Sequence, residues 1–400
     1  MLALDCAVAF DSDHAEEFFS ALPARPAVLL IEPRAQLVGA RPLLLRTADL
    51  RRRMRLLLGA PDPASRRVNL RDYAAGVRFR LTGSQFEQSL VQWQHARLLW
   101  PRDYRRRLRL RPPALVKLNL AGAYPRAYVS RRIAGNGLYA GPFASRRAAD
   151  TFLESSLDLF RIRRCQIKIR RDPKFPGCIY SEMKMCLAPC FAGCTAEEYA
   201  AETGRVAAYL SSGGASLAEE LSREREQASS ALDFERASAL HRRLEKVDAA
   251  RRGVPELARR VDDLHAMILQ RAATRNAIAV FLLRGGRIAD PFLLEFAELA
   301  SQPRSVEQIL RERIEGPAAE GGPDLAVGNQ PVSAGSGTAT ATSAATELED
   351  HLALLARWFY AHPRPGEIFF EQAQPNGWPY RRILRACSRL LQPSASEPQS

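Results

Sequence analysis

The 400-residue chain has no stretch of about eighteen uninterrupted apolar residues, the length a membrane-spanning helix needs. Its opening, MLALDCAVAFDSDHAEEFF, lacks the basic segment of a secretory leader and carries Asp5 and a run of acids instead. Both absences predict a soluble cytoplasmic protein with no membrane partner. Tyrosine is missing between residues 11 and 72, so no phenol is available there for proton transfer. With 46% apolar residues over this length, two or three domains with real cores are expected, and disulfide staples are not needed.

The cysteines therefore have another job. Five of the seven, Cys165, Cys178, Cys186, Cys190 and Cys194, fall within thirty residues. In a reducing compartment, clustered thiols are metal ligands or redox groups more often than disulfides. Cys6 and Cys387 stand alone and read as ordinary small apolar residues.

The net charge of +14 is unevenly spread: residues 41–190 sum to +22, whereas 1–40 and 191–400 each come to −4. Arginine dominates the basic block, as in RRRMR (51–55), RRRLRLR (105–111) and RIRRCQIKIRR (161–171). Its planar fork suits bidentate phosphate contacts, so double-stranded DNA is the expected partner, with Arg51, Arg52, Arg55, Arg105, Arg106 and Arg107 as candidate contacts. RNA bound on the same surface is a third, blander reading.

Periodicity predicts an α+β, multidomain chain. Residues 26–31 and 42–46 read as a hairpin, TADLRRRMRLLLG as a helix capped by Thr47, AGVRFRLTG as a strand, and SQFEQSLVQWQHARLLW as a helix capped by Ser84. The order is ββαβα. Strands ALVKLNL and RAYVSRRI follow, then the turn-rich GNGLYAGPF and a helix from SRRAADTF. Residues 216–250 read as an αα-hairpin broken at ALD, with Asp233 as the second helix's cap. Strands AIAVFLLR and GRIADPFLLEF, joined at Gly285-Gly286, open a small C-terminal α+β segment that resumes with helix ELEDHLALLARWFYAH and strand GEIFFEQ. Residues 316–346 lack core-forming side chains and read as a disordered insertion.

This order of motifs resembles the UvrC family, the incision subunit of the bacterial excinuclease. The likeness covers about residues 25–250 and rests on four pieces: the ββαβα start, similar to a GIY-YIG nuclease domain; YAGPFASRRAADTFLESSLDLFRIRRC; the cysteine module PGCIYSEMKMCLAPC; and SSALDFERASALHRRLEKV, similar to the UVR motif. The resemblance divides the chain into a degenerate GIY-YIG-like domain (22–105), a connecting α/β segment (106–160), a cysteine-rich metal module (161–196), a UVR-like hairpin (214–252) and a C-terminal segment (262–315 and 347–392). The family's RNase H-like nuclease and helix-hairpin-helix domains are expected to have no room here.

Cys165, Cys178, Cys186 and Cys190 are separated by twelve, seven and three residues. Four thiolates at such loop-rich spacing suit a tetrahedral zinc or the corners of a cubane, and a single tight pair leans towards the cluster. The resemblance implies a [4Fe-4S] cluster at these positions. Zinc remains the alternative, and Cys194 is a surplus thiol able to replace one of the four.

A hairpin with one apolar stripe must pack on its own domain or on a partner. The resemblance implies docking on UvrB through Phe234, Glu235, Ala237, Leu240 and Leu244. The sequence departs from the family pattern at His241-Arg242 and at Arg225.

A GIY-YIG site needs two tyrosines, basic groups and a metal-binding carboxylate. By register, the tyrosine positions read Leu29 and Leu43 and the carboxylate position reads Gln92, while Arg46 and Arg53 are retained. Leucine takes no proton, an amide is a weak ligand for a hard cation, and Mg²⁺ is not expected to bind productively. Glu87, five residues before Gln92, is turned about 500° round the helix and cannot substitute. The expected function is therefore a DNA-binding, UvrB-docking repair protein without its own GIY-YIG activity. The alternative is an active 3′ incision endonuclease with relocated catalytic groups.

Overall fold

The computed structural model describes residues 1–61, 67–296, 304–315, 337–372 and 377–392. Its first unit contains β1 (Cys6–Ala9), α1 (Ala15–Ala21), β2 (Ala27–Pro33), β3 (Leu43–Thr47), α2 (Leu50–Leu58), β4 (Ala74–Leu81) and α3 (Gln85–Leu99). The antiparallel sheet has the order β1-β4-β2-β3. The ββαβα pattern is thus preceded by an edge strand and a helix that the short N-terminal run of apolar residues did not signal. In β2, Ala27 to Ile31 are all buried because helices cover both faces of the sheet. Leu29 and Ile31 pack among Phe18, Phe19, Leu50 and Met54, whereas Val28 and Leu30 join the core that contains Phe86 and Leu90.

The helix termini follow local chemistry. Ser84 caps α3 by accepting from Glu87 N, as expected. The cap of α2 is Asp49, which accepts from Arg52 N, and not Thr47, whose hydroxyl instead bonds Asp49's own backbone. A short helix α4 (Tyr104–Arg107) leads into β5 (Ala114–Asn119), β6 (Arg126–Ser130) and β7 (Gly137–Phe143). The segment read as turn-rich is therefore a central strand. Gly141 permits it: its φ is +140°, and a Cβ there would meet Leu115 Cδ2 at 2.8 Å.

Helix α5 (Arg146–Leu157) covers this second sheet, and α6 (Ile179–Glu182) lies in the cysteine-rich loops. Helix α7 (Ala196–Ser211) was missed at the sequence level, although Thr195 and Glu198 form a capping box at its start. Helices α8 (Ala215–Ser230) and α9 (Phe234–Arg252) form the expected hairpin, with Leu232 at φ +59° in the break and Asp233 accepting from Arg236 N. The chain then returns as β8 (Arg259–Arg260), giving the order β6-β5-β7-β8.

The C-terminal sheet contains β9 (Ala266–Arg271), β10 (Ala277–Arg284), β11 (Arg287–Ile288) and β12 (Phe292–Glu295), with α10 (Val306–Glu315), α11 (Gly337–Phe359), β13 (Glu367–Phe370) and α12 (Tyr380–Leu391) around it. Its order is β11-β10-β9-β13, and β12 also pairs with β10. The expected single strand GRIADPFLLEF is two strands. Of the expected insertion, residues 337–346 belong to α11 and 316–336 lie outside the described residues. This sheet and α11 pack on α3: the Phe86 ring meets Phe281 edge-on at 5.1 Å and Trp358 at 5.4 Å. One buried cluster accordingly runs from Leu30 and Trp93 through Leu115 to Phe281 and Leu355.

Candidate functional site

The thiols lie in the loops between α5 and α7. Cys165 and Cys178 are half-buried, whereas Cys186 and Cys190 are buried, and all four are free. Left-handed backbone at Lys184, Ala188 and Ala192 folds the loop back on itself, and Ala188 N–H donates to Cys186 Sγ at 3.3 Å. Burial pushes the Cys186 thiol up to about 11, with the charges of Cys165, Cys178 and Cys190 adding to the rise. The four groups are therefore electrostatic neighbours. In kind they fit a soft-metal centre, including a backbone amide aimed at sulfur. Yet among the described residues no three His, Cys, Asp or Glu side chains are gathered closely enough to hold a metal ion. Cys194, also buried, belongs to the apolar cluster that contains Leu157, Phe160 and Tyr199; burial raises its pKa, and the charge of Cys190 adds to the rise.

The hairpin spends most of its apolar stripe at home. Leu217, Leu221, Leu240 and Val247 are buried against Phe160, Tyr199 and Tyr209, and Ala237 and Leu244 pack on the same cluster. Of the five residues expected to meet a partner, Leu240 thus faces inward, and Ala237 and Leu244 are half-covered. Phe234 and Glu235 face solvent; Phe234 is 66% exposed beside Leu232 at 73%. The partner-facing portion is the tip.

The residues expected at nuclease positions divide into two groups. Leu29 is fully buried between β2 and α2, away from any cavity. Leu43 and Gln92 meet on the wall of a pocket of about 190 Å³, together with Arg41, Pro42, Leu44, Trp100, Arg107 and Leu108. Arg46 projects along α3 and donates to Ser89 Oγ at 3.1 Å, while Arg53 lies on α2 with its Nε buried and unpartnered.

Several arginines of the basic block are committed within the protein. Arg105 pairs with Asp350 at 2.7 Å and Glu349 at 3.1 Å, so the expected phosphate contact is an internal ion pair. Arg51 donates to the carbonyls of Leu22 and Ser20, and Arg55 pairs with Glu16 at 2.9 Å. Arg106 makes an exposed pair with Asp103 that contributes little, and Arg107 stacks at 4.6 Å on Trp100. The Arg52 side chain is exposed. Arg41 and Trp100 of the pocket escaped sequence analysis because they come from a loop and a helix end and share no periodic signal.

Residues 115–209 match the family model of the UvrC/Cho excinuclease middle domain, and residues 215–250 match the UvrB/uvrC motif. UvrABC system protein C of Ruminiclostridium cellulolyticum is 28% identical over 175 residues, which is 43% of this chain and 28% of that protein. The Moorella thermoacetica protein of the same name is 25% identical over 301 residues, 74% of this chain and 48% of the relative. The Haloarcula marismortui protein is 28% identical over 260 residues, 60% of this chain and 40% of its own length. The chain thus spans less than half the length of these relatives. No solved structure matches it. Among the described residues, no helix is long and apolar enough to cross a membrane. The chain carries a UvrC-type middle domain followed by a UVR motif and is a distant homologue of the UvrC proteins.

Proposed function

We propose that this protein works in nucleotide excision repair as a UvrC-like component that holds DNA, docks on UvrB and makes no cut with its GIY-YIG-like unit. The observation that carries this reading is the hairpin tip: within the UVR motif, Leu232 and Phe234 stand exposed while the rest of the apolar stripe is packed internally. An exposed aromatic beside an exposed leucine is the kind of anchor that fills a partner's pocket. Loss of the nuclease chemistry follows from Leu29, Leu43 and Gln92, none of which supplies a proton acceptor or an anionic ligand.

Cys165, Cys178, Cys186 and Cys190 would hold a [4Fe-4S] cluster, with zinc as the alternative. When bound, that group would cross-link the loops between α5 and α7. The chain's own contribution is the Ala188 amide directed at Cys186.

Docking is tested by co-purification with UvrB. Phe234→Ala is expected to abolish it and leave the circular dichroism and melting temperature unchanged, because a residue 66% exposed holds little of the fold. Undiminished co-purification would contradict docking through the tip.

A further inference from the structure

The pocket between β3, the end of α3 and α4 has a composition that a vacant nuclease site does not require. Two of its lining groups are cationic: Arg41 and Arg107 are exposed and have no carboxylate partner among the described residues. One wall is the half-buried Trp100, and the Gln92 amide supplies both a donor and an acceptor. Its volume of about 190 Å³ falls below the roughly 300–1,000 Å³ of drug-sized sites, which suits one flat ring or one phosphate.

A second cationic pair continues the line. Ser89 stands three residues before Gln92 on α3 and accepts from Arg46. Arg357 of α11 comes alongside: burial lowers its pKa, and the like charge of Arg46 lowers it further. Its guanidinium donates to the Arg109 carbonyl at 2.9 Å, next to Leu108 of the pocket wall. Arg46 and Arg357 thus stand beside the pocket, one along α3 and one next to Leu108, and neither has a carboxylate partner among the described residues. Arg41 and Arg107 on the wall with Arg46 and Arg357 beyond it are more cations than one phosphate needs, which favours a polymer over a free nucleotide. The concave aromatic wall favours a base out of its stack over one inside a duplex.

We propose that this pocket holds one unpaired nucleotide of single-stranded DNA, its base against the Trp100–Arg107 stack and its flanking phosphates on Arg41, Arg46 and Arg357. This rests on the DNA-binding reading above and refines it: the eroded active site has become a reader of unpaired strand.

The test compares the full-length protein's affinity for a single-stranded deoxyoligonucleotide, the matching duplex and the matching oligoribonucleotide, with deoxynucleoside monophosphate as competitor. Trp100→Ala is expected to weaken single-strand binding about tenfold, with duplex binding changed less than twofold. Trp100→Phe should restore most of the loss, which guards against a folding defect. Arg41→Glu, at an exposed position, should also weaken single-strand binding. Equal losses on single strand and duplex, or loss in Arg41→Glu with none in Trp100→Ala, would overturn the proposal. So would equal affinity for the monophosphate alone, or stronger binding of the oligoribonucleotide. Failure to bind any DNA would overturn the wider DNA-binding reading, whereas duplex binding without single-strand preference would overturn only the pocket.

Discussion

Arg105 and Asp350, 245 residues apart in sequence, meet at 2.7 Å between Nε and Oδ1. The same carboxylate accepts from the Tyr104 hydroxyl at 2.6 Å and the Trp93 indole at 3.1 Å. Side chains of α3, α4 and α11 thus converge on one buried anion, which ties the first unit to the C-terminal one. Burial and Asp350 together push the Tyr104 phenol up to about 12, so it remains a donor throughout the physiological range.

Replacing this anion tests the tie. Asp350→Ala leaves the indole, the phenol and a guanidinium without their acceptor, and should destabilise the fold by about 3 kcal/mol. The urea midpoint reads this directly. A loss below about 1 kcal/mol would mean that solvent replaces the carboxylate and the tie is weak.

The neighbouring His351 predicts a pH dependence. Its Nδ1 accepts from Ile288 N at 3.0 Å, its Nε2 is buried without a partner, and its ring lies 4.6 Å from Trp93. Burial holds its pKa down to about 4; Arg287 and Arg97 lower it as well, and Glu347 and Asp290 oppose them. Because the folded value lies below the unfolded one of about 6.5, the neutral ring's contribution is complete above that pH and is lost as pH falls towards 4. The shift corresponds to about 3 kcal/mol. Urea midpoints measured from pH 7 to 4 should therefore fall more steeply for the native chain than for His351→Gln. Parallel profiles would show that other groups cause the acid sensitivity.

The cysteine site has a direct chemical test. Protein purified anaerobically should contain iron and sulfide with broad visible absorption, and Cys186→Ser or Cys190→Ser should remove it. Zinc alone would contradict the cluster, and a folded, metal-free protein would contradict the site.

Much of this was legible locally. Ser84 and Asp233 announce their helices, the Leu50, Met54, Leu57 and Leu58 spacing places the buried face of α2, and ALD marks the hairpin break. What escaped was tertiary. Strand β7 passes through Gly137, Gly141 and Pro142, residues that read as turns, because neighbouring strands and α5 enclose it. The Arg105 side chain reads as a phosphate contact until Asp350 arrives from 245 residues away. Leu240 and Leu244 read as partner-facing because a stripe carries no information about which surface covers it.

The central claim, a repair protein that docks and holds DNA but does not cut with its GIY-YIG-like unit, meets its most direct test in reconstituted incision. The purified chain is incubated with UvrA, UvrB, a lesion-bearing duplex and Mg²⁺ or Mn²⁺, and products are resolved at nucleotide resolution. No cut 3′ to the lesion is predicted, and Gln92→Glu should not create one, since position 92 would gain a ligand while no phenol stands ready to activate water. A lesion-dependent 3′ nick by the unaltered chain that disappears with Arg53→Ala would contradict the account.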